Sequence, residues 1–210
     1  DTTRNLLGNI ACYANANSIE DLADVANGTL GIVVSAGPSL RRNIELLQNK
    51  EVRSRLVITA VHTALKPLLT AGIRPDFVTA LDYHEISRRF YEDLPTEDLQ
   101  DVTLIIDPKV HPGVAEAYPG PITSLNSNFL EAILQEDAPG HRSLPASATV
   151  AHLAFHVTKF LGCNPIAMIG QDLGFTDGLY YAPGTAIHDV WAPELNTFNT
   201  IEMMEWERIA

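Results

Sequence analysis

Residues 31–47 read GIVVSAGPSLRRNIELL. An apolar run of strand type breaks at Ala36-Gly37-Pro38-Ser39 and passes directly into a helical pattern. Gly37 permits a tight turn and close approach by a ligand, Pro38 suits a first helical turn that needs no N–H there, and Ser39 can cap the helix. Free amides at such a terminus, aided by the helix dipole, favour an anion. The turn is therefore a candidate phosphate site, with a plain strand-to-helix turn as the alternative. Ser35, Gly37, Pro38, Ser39 and Leu40 are its candidate residues.

Working outward, the same alternation repeats. Residues 55–60 (RLVITA), 76–81 (DFVTAL), 102–106, 121–124 and 165–169 read as strands, with 165–169 expected to be buried. Helical patterns lie at 40–48, 61–71, 85–92 and 146–161. Nearly continuous apolar strands separated by helices predict a Rossmann-like, doubly wound, mostly parallel α/β sheet with helices on both faces. Residues 1–28 read as a helical lead-in, 29–190 as the nucleotide-binding core, and 191–210 as the start of a truncated C-terminal segment.

Composition narrows the functions. The 210 residues are 46% hydrophobic and 19% charged, enough apolar content for a sizeable core. Fourteen Lys and Arg stand against 26 Asp and Glu, a net charge of −12, which argues against a surface built to neutralise nucleic-acid phosphates. A small phosphorylated ligand remains compatible, because amides and single cations such as Arg41, Arg42 or Lys109 act locally. No apolar stretch reaches the ~20 residues of a membrane span, and a cytoplasmic setting is expected. Cys12 and Cys163 have no metal-ligand spacing and read as free thiols.

Ligands of doubly wound sheets sit beyond the carboxyl ends of the strands. The polar residues expected there are Ser35, Thr59, His62, Asp82, Asp107, Lys109, Asn126, Gln171 and Asp172. The segment 170–185, GQDLGFTDGLYYAPGT, is dense in glycine, acids and aromatics. Gly170 and Gln171 open it, Asp172 is suited to a hydroxyl, a metal or a turn cap, and the phenols of Tyr180 and Tyr181 can stack or donate to a leaving phosphate. His188 is a candidate acid or base, since histidine titrates near neutrality. His152 and His156, four apart on a helix without the glutamate of a metalloprotease motif, read as packing residues.

Taken together, GIVVSAGPSL, ITAVHTALKPLLTAGIRPDFVTALD, DPKVHPGV and SATVAHLAFHVTKFLGCNPIAMIGQDLGFTDGLYYAPGT resemble the MptE-like domain of motility-accessory-factor (Maf) proteins, from about residue 5 to 185. The resemblance implies one of two reactions. Archaeal members include an ATP-dependent 6-hydroxymethyl-7,8-dihydropterin diphosphokinase. Bacterial Maf members are linked to glycosylation of flagellin with nonulosonic, sialic-acid-like sugars, and their fold is similar to sialyltransferases that use a CMP-activated sugar. It also implies that Gly37–Leu40 is the nucleotide-phosphate loop, that Thr59, His62 and Asp82 face the nucleotide, and that Ser147 touches cytidine or phosphate. Asp172, Tyr180 and Tyr181 would then lie near the leaving phosphate. Where the family often has a glycine near Pro145-Ala146 and a histidine near Tyr181, this chain does not. Magnesium enters only with the diphosphokinase, for which Asp82 and Asp172 are the candidate pair. A nucleotide-binding scaffold without catalysis is the third reading.

Overall fold

The computed structural model describes residues 2–134 and 144–209. Its seven strands are β1 (Asn17–Ser18), β2 (Leu30–Val34), β3 (Leu56–Val61), β4 (Phe77–Ala80), β5 (Thr103–Ile106), β6 (Ile122–Ser124) and β7 (Ile166–Ile169). They form one all-parallel sheet in the order β1-β6-β5-β4-β3-β2-β7. The α/β Rossmann-like class expected from the sequence is the one observed. From β2 the chain steps outward strand by strand to β6, then crosses back to lay β7 on the other side of β2. The reversal point therefore lies between β2 and β7, at Ser35–Leu40 and Gly170–Asp172.

Alternate side chains of a strand face opposite layers. Leu104 and Ile106 join a core with Val78, Ala80, Phe90, Tyr91 and Leu99, whereas the intervening Ile105 packs with Leu153, Val157 and Leu161 of the helix Val150–Phe160. A third cluster joins Ile32, Val34, Ile58 and Ala60 to Leu40 and Leu47 of the helix Leu40–Gln48. This is the arrangement that buries parallel strands on both faces.

Four expectations change. The strand at 165–169 is not buried: β7 is an edge strand, paired only with β2 among the described residues, and Met168 is 44% exposed. The helical pattern at 146–161 becomes helix only at Val150, capped by the Thr149 hydroxyl, which accepts from the His152 amide; Ser147 lies in the non-helical segment before it. His152 is exposed rather than packed. Of residues 61–71, Val61 ends β3 and His62–Ala64 form a 3-10 turn before the helix Leu65–Thr70.

The lead-in is tied into the sheet. Its helices Thr2–Gly8 and Ile10–Asn15 precede β1, which pairs with β6. Buried Asn5 donates to the carbonyls of Tyr83 and Lys109, and buried Asn9 to those of Pro108 and Val110. Two asparagines thus hold the loops that follow β4 and β5. An asparagine pair four apart was the only sequence signal for this, and it carries no hint of its distant partners.

Candidate functional site

The carboxyl ends of the strands form a row of polar residues: Asn126 after β6, Asp107 and Lys109 after β5, Asp82 after β4, His62 after β3, Ser35 and Gly37 after β2, and Gln171 with Asp172 after β7. At about 4.8 Å per strand, Gly37 and Asp82 lie two strand spacings apart, roughly 10 Å. Thr59 is absent from this rim. It sits inside β3, fully buried, in register with Val33 and Phe77, because the strand runs on to Val61.

At the reversal point β2 and β7 are stitched together. The Ser35 amide donates to the Ile169 carbonyl at 2.9 Å, the Gly37 amide to the Gly170 carbonyl at 2.8 Å, and the Ser35 hydroxyl to Gln171 Oε1 at 2.8 Å. Further along the same loop, the Ala182 amide donates to the Ala36 carbonyl. Gly170 has φ +67°, and a Cβ there would lie 2.1 Å from the Ser35 carbonyl oxygen. A Cβ on Gly37 would lie 2.2 Å from Asp172 Oδ2 and 2.5 Å from the Gly170 carbonyl oxygen. Gly37 is thus required by its own protein neighbours.

This corrects the picture of free amides at the phosphate loop. The Ser39 amide donates to Asp172 Oδ2 at 2.8 Å, the Leu40 amide donates to the Gly37 carbonyl, and Pro38 has no N–H. Asp172 occupies the anion position at the helix terminus, and its Oδ1 accepts from the Thr176 hydroxyl at 3.0 Å. Partial burial alone would raise its pKa, but the Ser39 backbone and side chain, Thr176 and Arg42 outweigh it and hold the carboxyl below its ordinary value. Asp172 is a cap that fastens the β7 loop to the helix Leu40–Gln48.

Asp82 has a different partner. Its Oδ2 lies 3.3 Å from Nε2 of His62, which is only 5% exposed and packs on Phe90 with ring centroids 4.6 Å apart. Burial lowers the His62 pKa; Asp82 and the Thr79 backbone oppose that shift. β4 and β7 are separated by β3 and β2, three spacings or roughly 14 Å, so Asp82 and Asp172 do not converge on one ion. No group of three or more His, Cys, Asp or Glu suited to a metal occurs among the described residues. The donor set does not fit the magnesium pair expected from the sequence.

A cavity of about 410 Å³ opens on the other stretch of the rim, within the usual size range of ligand pockets. Leu81, Leu125 and Leu153 form apolar walls; Asp107, Lys109, Asn126 and Ser147 supply polar groups. Asn126 Nδ2 is 3.4 Å from Glu20 Oε1, and the Ser147 hydroxyl donates to the Pro145 carbonyl at 3.3 Å. The Lys109 amide donates to Asp107 Oδ1, setting the turn that carries the lysine. Thus Asn126 and Ser147, far apart in sequence, share one cavity, whereas the Gly37 turn does not line it.

The aromatic segment lies beside β7. Tyr180 is 40% exposed, with its ring tilted against Phe175 and edge-on to Tyr181, and Phe175 meets Trp206 at 5.3 Å between centroids. Tyr181 is partly buried against the core. His188 belongs to a helix, Ala186–Trp191; its ring lies 6.2 Å from Trp191, and the adjacent Asp189 is 3.6 Å from Lys66.

Comparison with known proteins agrees with this architecture. No curated protein matches the chain. Among solved structures, the chain is similar to the MAf glycosyltransferase from Magnetospirillum magneticum AMB-1, with 26% identity and a TM-score of 0.65 over 83% of this chain and 28% of that one. The chain therefore spans 28% of that protein's length. A dipeptide epimerase from Methylococcus capsulatus aligns at a TM-score of 0.20 with 9% identity, over 79% of this chain and 63% of that one, too low to carry an argument. The family model described as 6-hydroxymethylpterin diphosphokinase MptE-like matches residues 4–178, and the chain belongs to this MptE-like family.

Proposed function

We propose that the chain is the nucleotide-binding core of a transferase, specifically a Maf-type glycosyltransferase that uses a CMP-activated nonulosonic sugar. The observation that carries this reading is the cavity at the carboxyl ends of β4, β5 and β6, with apolar walls and convergent Asn126, Ser147 and Lys109. It is joined by a rim of polar residues toward the reversal point and by the likeness to a Maf glycosyltransferase. In this reading the nucleoside sits in the cavity and the sugar extends along the rim toward Asp82 and His62. Charge developing on the departing phosphate is met by Lys109 at the cavity, since electrostatic stabilisation of the leaving group carries much of such a reaction. A protein acceptor such as flagellin and a cytoplasmic setting belong to the same reading. Among the described residues no helix is long and apolar enough to cross a membrane.

Calorimetric titration with CMP and with ATP, each with and without magnesium, tests the proposal. CMP binding that is weakened by Asn126→Leu and by Ser147→Val, with both variants retaining the parent melting temperature, is the expected result. Tighter, strictly magnesium-dependent ATP binding overturns it in favour of pterin diphosphokinase activity. CMP binding without turnover of a CMP-sugar identifies a scaffold.

A further inference from the structure

Asp82 and His62 form a pair in which the usual exposures are reversed. The histidine is buried, while the Asp82 side chain is 47% exposed at the end of β4, one residue beyond Leu81 in the cavity wall. A ligand can reach the carboxylate but not the imidazole. Burial disfavours the imidazolium, and Nδ1 has no hydrogen-bond partner among the described residues. Nε2 faces Asp82 Oδ2 at 3.3 Å, the contact through which the ring meets the carboxylate. The phenol of Tyr91, which interacts with Asp82, has its pKa pushed up by burial and stays uncharged. His62 thus stands against Oδ2 of a carboxylate that is otherwise open to the rim.

We propose that Asp82 is the general base of sugar transfer and that His62 is the residue that positions it. The assignment rests on the glycosyltransferase reading above. As the acceptor hydroxyl oxygen forms its bond to the anomeric carbon, its proton passes to Asp82. The bond from that carbon to the phosphate oxygen breaks, and its electron pair leaves on CMP. No other reactant is needed. The buried ring against Oδ2 keeps the carboxylate turned to the rim, and the contact with Phe90 holds the ring in place.

The test measures CMP release from CMP-sialic acid by the full chain, with a hydroxyl-bearing acceptor peptide, alongside CMP affinity by calorimetry. Asp82→Asn is expected to lower kcat by about 100-fold or more while CMP affinity stays within about twofold, the usual size of a lost general base. His62→Phe, which keeps a ring against Phe90 but lacks the nitrogen that faces Asp82, is expected to lower kcat by about tenfold and move the acid limb of the pH–kcat profile to higher pH. His62→Gln, which retains an N–H, restores most of both. Asp82→Asn turning over within about threefold of the parent, or a His62→Phe profile with an unmoved acid limb, overturns the assignment. A parent chain that neither binds CMP nor releases it from the donor overturns the glycosyltransferase reading instead, and the base assignment falls with it.

Discussion

Asp172 accepts a 2.8 Å hydrogen bond from the Ser39 amide, so a carboxylate carried in by the last strand caps the helix that follows the first strand of the core. The link closes the sheet's reversal point from within the chain. It also explains the Gly37 and Gly170 positions, where the two loops pass too closely for a side chain.

Removing that cap is expected to cost stability before it costs chemistry. Asp172→Ala should lose about 1 kcal/mol, as measured by denaturant unfolding, and Asp172→Asn less, because asparagine also caps well. The carboxyl pKa is held down in the folded state. Its contribution is therefore present above the unfolded value near 4 and is lost as pH falls through the folded one. The difference in stability between Asp172→Asn and the parent should shrink on acidification across that window.

The glycines should rank by what their Cβ atoms meet. Gly170→Ala combines a left-handed φ with a backbone clash and is expected to cost more than about 2 kcal/mol. Gly37→Ala should also destabilise, since it strikes Asp172 and the Gly170 carbonyl. Gly174, with nothing within 4 Å, should accept alanine with little change. Melting temperatures in another order would show that the loops are not packed as described.

Asn9→Ala deletes two buried hydrogen bonds and leaves the carbonyls of Pro108 and Val110 without that donor. A loss of about 1–3 kcal/mol is expected. Because those carbonyls flank Lys109, ligand affinity at the cavity should fall with it, measurable by calorimetry on the folded fraction.

A buried histidine whose folded pKa is lowered binds protons more readily when unfolded. The sign follows: its effect is absent above about pH 6.5, and stability declines as pH drops from there toward the folded pKa. His62→Gln should flatten this part of the curve of unfolding free energy against pH. An unchanged slope between pH 7 and 5 in the variant would contradict a buried, neutral His62.

Two tyrosines packed edge to face should respond oppositely to loss of their hydroxyls. Tyr118 donates to the Val102 carbonyl at 2.7 Å, so Tyr118→Phe is expected to cost about 1 kcal/mol. The buried Tyr91 hydroxyl has no partner among the described residues, and Tyr91→Phe should be neutral or stabilising. Denaturant midpoints of the two variants decide this directly.

Local signals along the chain already determined the α/β class, six of the seven strands and the helix at 40–48. Continuous apolar runs can be buried only in a parallel sheet covered on both faces, and Gly-Pro-Ser ends a strand and starts a helix by backbone chemistry alone. The two-residue β1 was not legible, because Asn17 and Ser18 have no strand propensity and pair only because β6 offers an open edge. Partner choice was equally hidden. Asp172 and Asp82 have the same place at the end of an apolar strand, yet one caps a helix 133 residues away and the other meets a buried histidine. Strand order decided the difference. It set β7 against β2 and β4 against β3, so the crossover, rather than any residue's own preference, determined which groups each carboxylate meets and which polar side chains share the cavity.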